Sequence, residues 1–145
     1  MNPGLMLIIE DDISLGRLFQ TQLLPLWPDA TTDYMLTWSL HEAQHILTQV
    51  TPDIVLLDLM LPDSAGMDTL DAIVATLPTE VPIVAISGHL TMLEGIQALH
   101  HGATSFLLRG ACVTAAALQY TLACAWARSH GHRRRRQDAC APSGP

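Results

Sequence analysis

Lysine occurs nowhere in the 145 residues, so every fixed positive charge is one of seven arginines. Cysteine is scarce. Cys112, Cys124 and Cys140 are odd in number and form no C-x-x-C pair, which argues against a disulfide framework or a zinc site and suits a reducing compartment. Charged residues are only 14% of the chain and apolar ones 49%, a balance that disordered chains do not have. No basic segment with a cleavage signal opens the sequence, so secretion is not expected. The apolar stretch ACVTAAALQYTLACAWA, at 111–127, is rich in alanine, interrupted by Gln119 and shorter than a membrane span. It reads as an internal helix. The arginines come without a helix-turn-helix pattern or stacking aromatics, so nucleic-acid binding is not expected.

What the chain does have is an uneven charge distribution. Residues 1–127 carry 13 acids against Arg17 and Arg109, whereas residues 128–145 carry five arginines against Asp138. An acidic body ends in a basic tail. The length suits one domain, expected over residues 1–129, with residues 130–145 as a basic, disordered tail or linker. Within the body, LMLII (5–9), DIVLLD (53–58), PIVAIS (82–87) and SFLL (105–108) read as strands, and ATTDYML (30–36) as a more polar strand near an edge. Helices are expected over 13–24, ended by Pro25 and Pro28; over 40–49, opened by Ser39 with Glu42; and over 67–77. Two more run from Thr91, with Glu94, to about His101 before Gly102, and over 113–129.

Strand and helix thus alternate five times. Continuously apolar strands indicate a parallel sheet covered on both faces. Right-handed crossovers then predict an α/β fold, a doubly wound five-stranded parallel sheet with five helices. In such sheets the site lies at the carboxyl ends of the strands. There the sequence puts Glu10, Asp11 and Asp12 after the first strand, Asp58 after the third, Ser87 and Gly88 after the fourth, and Arg109 after the fifth. Carboxylates converging with a hydroxyl and a cation make a site for Mg2+ and a phosphoryl group. A divalent cation also relieves the repulsion among neighbouring acids. Asp12, directly before Ile13, is expected to cap the first helix instead.

The motifs IIEDD, PDIVLLDLMLPDSAGMDTL, VPIVAISG and GATSFLLRG, in this order and spacing, resemble the receiver domain of two-component response regulators over about residues 5–127. The stretches LPDSAGMDTL and LLRGA look most like receivers attached to sensory or hybrid signalling proteins. The resemblance implies a flavodoxin-like (βα)5 fold and a cytoplasmic phosphoacceptor module rather than an enzyme that turns over small substrates. It implies Asp58 as the phosphoacceptor, and Glu10, Asp11, Asp58 and the backbone carbonyl of Met60 as holders of Mg2+. Ser87 matches the switch hydroxyl, Phe106 the switch aromatic, and Arg109 a position that is normally lysine. A sensor histidine kinase or phosphotransfer protein would donate the phosphoryl group. The face formed by helix four, strand five and helix five would pass the change to a downstream protein or a second copy.

Some positions depart from the family pattern. Arg109 keeps the charge but is planar and larger than an ammonium, which predicts slower phosphorylation or weaker coupling to the switch. Gly110 stands where many receivers have proline after a cis bond. Without proline, cis costs about 3 kcal/mol, so a trans bond is expected. Met60 and His89 flank the expected path of hydrolytic water, and a bulky Met60 should slow loss of the phosphoryl group. Two other functions compete. A phosphotransferase of the haloacid-dehalogenase type needs a second acid two positions after its nucleophile, where this chain has Met60. A degenerate receiver, working as a phosphorylation-independent interaction domain, has its support in Arg109.

Overall fold

The computed structural model describes residues 2–28, 32–88, 91–108 and 114–139, with 131–139 described as backbone alone. Strands β1 (Leu5–Ile9), β2 (Asp33–Thr37), β3 (Ile54–Asp58), β4 (Ile83–Ser87) and β5 (Ser105–Leu108) form one parallel sheet in the order β2-β1-β3-β4-β5. Between and after them come α1 (Ile13–Leu23), α2 (Leu40–Leu47), α3 (Met67–Thr76), α4 (Met92–His100) and α5 (Ala115–Ala139). This is the doubly wound, flavodoxin-like arrangement expected from the sequence. From β1 the chain goes outward to β2, then returns to continue on the other side at β3. The reversal therefore falls between β1 and β3, whose carboxyl ends flank the crevice where such folds place their chemistry.

The central strands are apolar along nearly their whole length because each face of the sheet has its own cover. Met6, Ile8, Ile54 and Leu56 point to one side, where Phe19 and Leu23 of α1 and Leu118 and Leu122 of α5 close over them. Leu7, Ile9, Val55 and Leu57 point to the other, against Ala43, Leu70, Ile73 and Ala98 of α2, α3 and α4. Each such leucine or isoleucine is removed from water almost completely, worth roughly 1.5–3 kcal/mol apiece. On the α1–α5 side, Trp126 stacks edge-on to Trp27 at a centroid distance of 6.4 Å.

Element boundaries differ from the expected ones at several ends. β2 runs to Thr37, one residue beyond the expected end, because Thr37 pairs with Ile9; backbone pairing, not apolarity, sets where that edge stops. α1 ends at Leu23 and a turn of 3-10 helix, Leu24–Leu26, takes in Pro25. α5 continues to Ala139 instead of ending near 129. The residues beyond 129 read as a tail for their polarity, but arginine and glutamine are good helix formers and no proline intervenes before Pro142. After β3 the chain also forms a short antiparallel ribbon, Met60–Leu61 with Ser64–Ala65.

That ribbon carries an anchor. Asp63 Oδ1 accepts from the Leu40 N–H and Oδ2 from the His41 N–H, each at 2.9 Å, while Ser39 Oγ accepts from the Glu42 N–H at 3.1 Å. Three of the donors that a helix start leaves without intrahelical partners are thereby satisfied, two of them from the loop that follows β3. The His41 and Leu40 N–H groups hold the Asp63 carboxyl below the usual carboxylate range. A depressed folded-state pKa gives stability that is present above the unfolded pKa and lost as pH falls. Asp63→Ala should therefore lower the melting temperature at neutral pH, and the gap to the parent should narrow as the pH falls below about 4. A gap that is the same at every pH would contradict this role.

Candidate functional site

Strand register brings the acids together. Ile9 lies opposite Leu57 in β3, so the next residue of each strand, Glu10 and Asp58, emerges at the same level of adjacent chains. The Glu10 N–H donates to the Thr37 carbonyl at 2.9 Å, fixing its backbone to the sheet edge. Glu10 is 4% exposed and Asp58 2%, while Asp11 is exposed. One carboxylate oxygen from each of Glu10, Asp11 and Asp58 lies within 4.8 Å of the other two. Among the described residues this is the only such cluster of three possible metal ligands. Asp12 stands apart: its Oδ1 accepts from the Leu15 N–H at 3.1 Å and caps α1, as expected.

The backbone that carries Asp58 is held on several sides. The Leu59 N–H donates to the Ile86 carbonyl at 3.1 Å. The Leu59 carbonyl accepts from the Gly66 N–H at 2.8 Å and from Thr69 Oγ1 at 3.2 Å. Thr69 is fully buried and also bonds Ser64 Oγ at 2.8 Å. Gly66 has φ of 64°, in the left-handed region that residues with a Cβ adopt at a cost. Asp58 Oδ1 accepts from the Met60 N–H at 2.9 Å. The carboxylate thus has its position fixed before any ligand arrives.

Charge is crowded here. The Glu10 carboxyl is pushed up to about 8, first by burial, then by its hydrogen bond to Asp58 and the charge of that group. The Asp12 N–H, at 3.2 Å from Glu10 Oε1, works in the opposite direction. An all-oxygen donor set that resists carrying its full negative charge fits a hard divalent cation, which would remove the repulsion.

The other site residues surround the acids unevenly. Ser87 ends β4 and is 3% exposed. It lines a cavity of about 160 Å³ together with Met60, Met67, Glu94 and Gln97. Phe106 is half-buried in β5, opposite Ala85, and packs against the core beneath α2 to α4. Arg109, Gly110 and His89 lie outside the described residues, as do Cys112 and Cys140. Sequence reasoning missed Asp63, Gly66 and Thr69 as supports of the Asp58 loop. Gly66 carried a signal, since it closes a turn-forming LPDSAG run before a helix. Thr69 and Asp63 act over distances that local patterns do not encode.

The chain matches the response regulator receiver domain family over residues 6–113. Regulatory protein LuxO of Vibrio vulnificus is 34% identical over 102 residues, 70% of this chain and 21% of that protein. Transcriptional regulatory protein KdpE of Staphylococcus aureus is 34% identical over 104 residues, 71% of this chain and 42% of that protein. This chain spans about a fifth of the length of the LuxO relative. Among solved structures, the signal receiver domain of a putative LuxO repressor from Vibrio parahaemolyticus shares the fold with a TM-score of 0.75, covering 92% of this chain and 96% of that one at 24% identity. A sheet with the β2-β1-β3-β4-β5 order, an acidic cluster at its carboxyl edge and this family match together place the chain in the response regulator receiver domain family of two-component signalling.

Proposed function

We propose that the chain is the phosphoacceptor module of a phosphorelay, with Asp58 as the residue that carries the phosphoryl group. The observation that carries this reading is the convergence of Glu10, Asp11 and Asp58 within 4.8 Å at the carboxyl edge, two of them buried. Mg2+, held by Glu10, Asp11, Asp58 and the Met60 backbone carbonyl, would supply positive charge opposite the phosphoryl oxygens. The Asp58 carboxylate attacks the phosphorus of a phosphohistidine on a sensor kinase or phosphotransfer protein. The O–P bond forms as the N–P bond breaks, and the released imidazole takes up a proton. Little covalent chemistry is asked of the protein, so its work is positioning and electrostatics. The bonds around Leu59 do the positioning, and Arg109 supplies the cation that lysine supplies elsewhere in the family.

The acyl phosphate brings close to two negative charges to the sheet edge. Ser87 then turns to donate a hydrogen bond to a phosphoryl oxygen. This biases the α4, β5 and α5 face between two arrangements. That face is suited to a partner protein or a second copy: Met92, Leu93 and Ile96 of α4 and Tyr120 of α5 are all exposed, and exposed apolar clusters mark interaction surfaces. No helix among the described residues is long and apolar enough to cross a membrane, which agrees with a cytoplasmic module. Small-substrate turnover is not part of the proposal, because position 60 holds methionine rather than a second acid. The domain over residues 1–129 carries all of these functions, and the basic segment from 130 is left to link or tether.

Beryllofluoride, a stable mimic of the phosphoryl group, should bind only with Mg2+ present and change the tryptophan fluorescence. Asp58→Asn should abolish the change, and Asp11→Asn should weaken it. No binding at millimolar Mg2+ would instead leave the chain as a phosphorylation-independent interaction domain. Arg109→Lys should speed phosphorylation by acetyl phosphate severalfold, because a compact ammonium approaches a phosphoryl oxygen more freely than a guanidinium; an equal or slower rate would show that the arginine is well fitted. The raised Glu10 pKa has a thermodynamic consequence. The folded state then binds more protons than the unfolded one between about pH 5 and 8, so metal-free protein should lose stability as pH rises across that window. Millimolar Mg2+, which favours the deprotonated carboxylates, should raise the melting temperature more at pH 8 than at pH 5. A metal effect that is the same at both would contradict the assignment of Glu10.

A further inference from the structure

Glycine is a poor choice in the middle of a helix, since it gives up more backbone entropy than other residues and packs nothing. Gly95 nevertheless sits buried within α4, whose start is secured by a full capping box between Thr91 and Glu94. A Cβ built at Gly95 would lie 2.4 Å from Phe106 Cε2, 2.5 Å from Cδ2 and 2.8 Å from Cζ. Carbon atoms in contact are about 3.5–4.0 Å apart. The phenyl ring of Phe106 thus fills the volume that a side chain at position 95 would need. Fully buried Ala98, the next inward residue of α4, keeps the helix close to β5 around the ring. The atoms that would collide belong to the far end of a side chain with two torsions, so the ring rather than the backbone would give way. A side chain at 95 and the ring in this seat exclude each other.

We propose that Gly95 is a positioning residue that holds Phe106 inward against α4 before any phosphorylation, so that engagement of Ser87 by a phosphoryl group requires no rotation of the ring. The functional half of this inference rests on the phosphoacceptor reading above; the structural half does not. A ligand binds less tightly when only a fraction of the protein is in the competent arrangement. In this chain the missing side chain keeps that fraction high. It also means that the aromatic contributes little to the difference between the two states of the α4, β5 and α5 face, leaving that difference to Ser87 and the loop that follows it.

The test uses an accident of composition. The chain has two phenylalanines, Phe19 and Phe106, and Phe19 belongs to α1 and is buried against the opposite face of the sheet. Fluorophenylalanine labelling therefore gives two 19F resonances, with Phe19 as the internal standard. In the parent, the Phe106 signal should show a small solvent isotope shift and move little on saturation with Mg2+ and beryllofluoride. Gly95→Ala should shift that signal to a solvent-exposed position, leave Phe19 unchanged, and weaken beryllofluoride binding about tenfold. Removing the ring as well, in Gly95→Ala with Phe106→Ala, should restore the affinity. If Gly95→Ala alone does not fold, Phe106→Ala provides the background: there, alanine at 95 should be neutral or stabilising, as its helix propensity requires. The proposal is overturned if Phe106 is solvent-exposed in the parent, if its signal ignores Gly95→Ala, or if alanine still destabilises the Phe106→Ala background. Parent protein that binds no beryllofluoride would overturn the functional half and the phosphoacceptor reading, whereas the response of the ring to Gly95→Ala would remain.

Discussion

Two unit charges about 4 Å apart repel by about 4 kcal/mol at the effective dielectric of a protein near its surface. Here three carboxylates share a space of that size, and two of them are buried. Nothing in the local sequence makes this favourable. The sheet enforces it, because parallel pairing of β1 with β3 sets Ile9 opposite Leu57 and releases Glu10 and Asp58 side by side. The hydrophobic layers on both faces supply the energy that keeps the strands in that register. The raised pKa of Glu10 shows where the stress falls. Much else about the site answers the need to hold negative charge together.

The supports of Asp58 follow from the same constraint. A carboxylate under repulsion turns away unless its backbone is fixed. Leu59 is tied to β4 through Ile86 and to the start of α3 through Gly66 and Thr69. Asp63, in the same loop, secures the first turn of α2. One short segment thus connects the strand that ends in Asp58 to two helices and a neighbouring strand. Movement of that loop on phosphorylation would be felt at α4 through the cavity shared by Met60, Ser87 and Gln97.

The fold was legible because its signals are periodic. Four continuously apolar runs and one polar one, separated by helical patterns and capping boxes, admit few arrangements other than a doubly wound sheet. The acids at strand ends were legible for the same reason, since topology alone brings Glu10, Asp11 and Asp58 to one edge. Asp12 was assigned to the helix because a carboxylate directly before an apolar-periodic run is a cap. The end of β2 at Thr37 and the length of α5 were not legible, as pairing partners decide the first and polar composition conceals the second. The contact between Gly95 and Phe106 was hidden more deeply. It joins residues from different elements, and glycine in a helix reads as a weakness until the ring occupying its missing side chain is seen.

With the ring already seated, the central question becomes whether Asp58 accepts a phosphoryl group at all. Intact-mass measurement of the protein after incubation with acetyl phosphate and Mg2+ answers it most directly. The account predicts the addition of a single phosphoryl group, dependent on Mg2+, absent from Asp58→Asn and lost on treatment with hydroxylamine, which cleaves acyl phosphates. An unchanged mass in the parent, or an equal addition to Asp58→Asn, would contradict it.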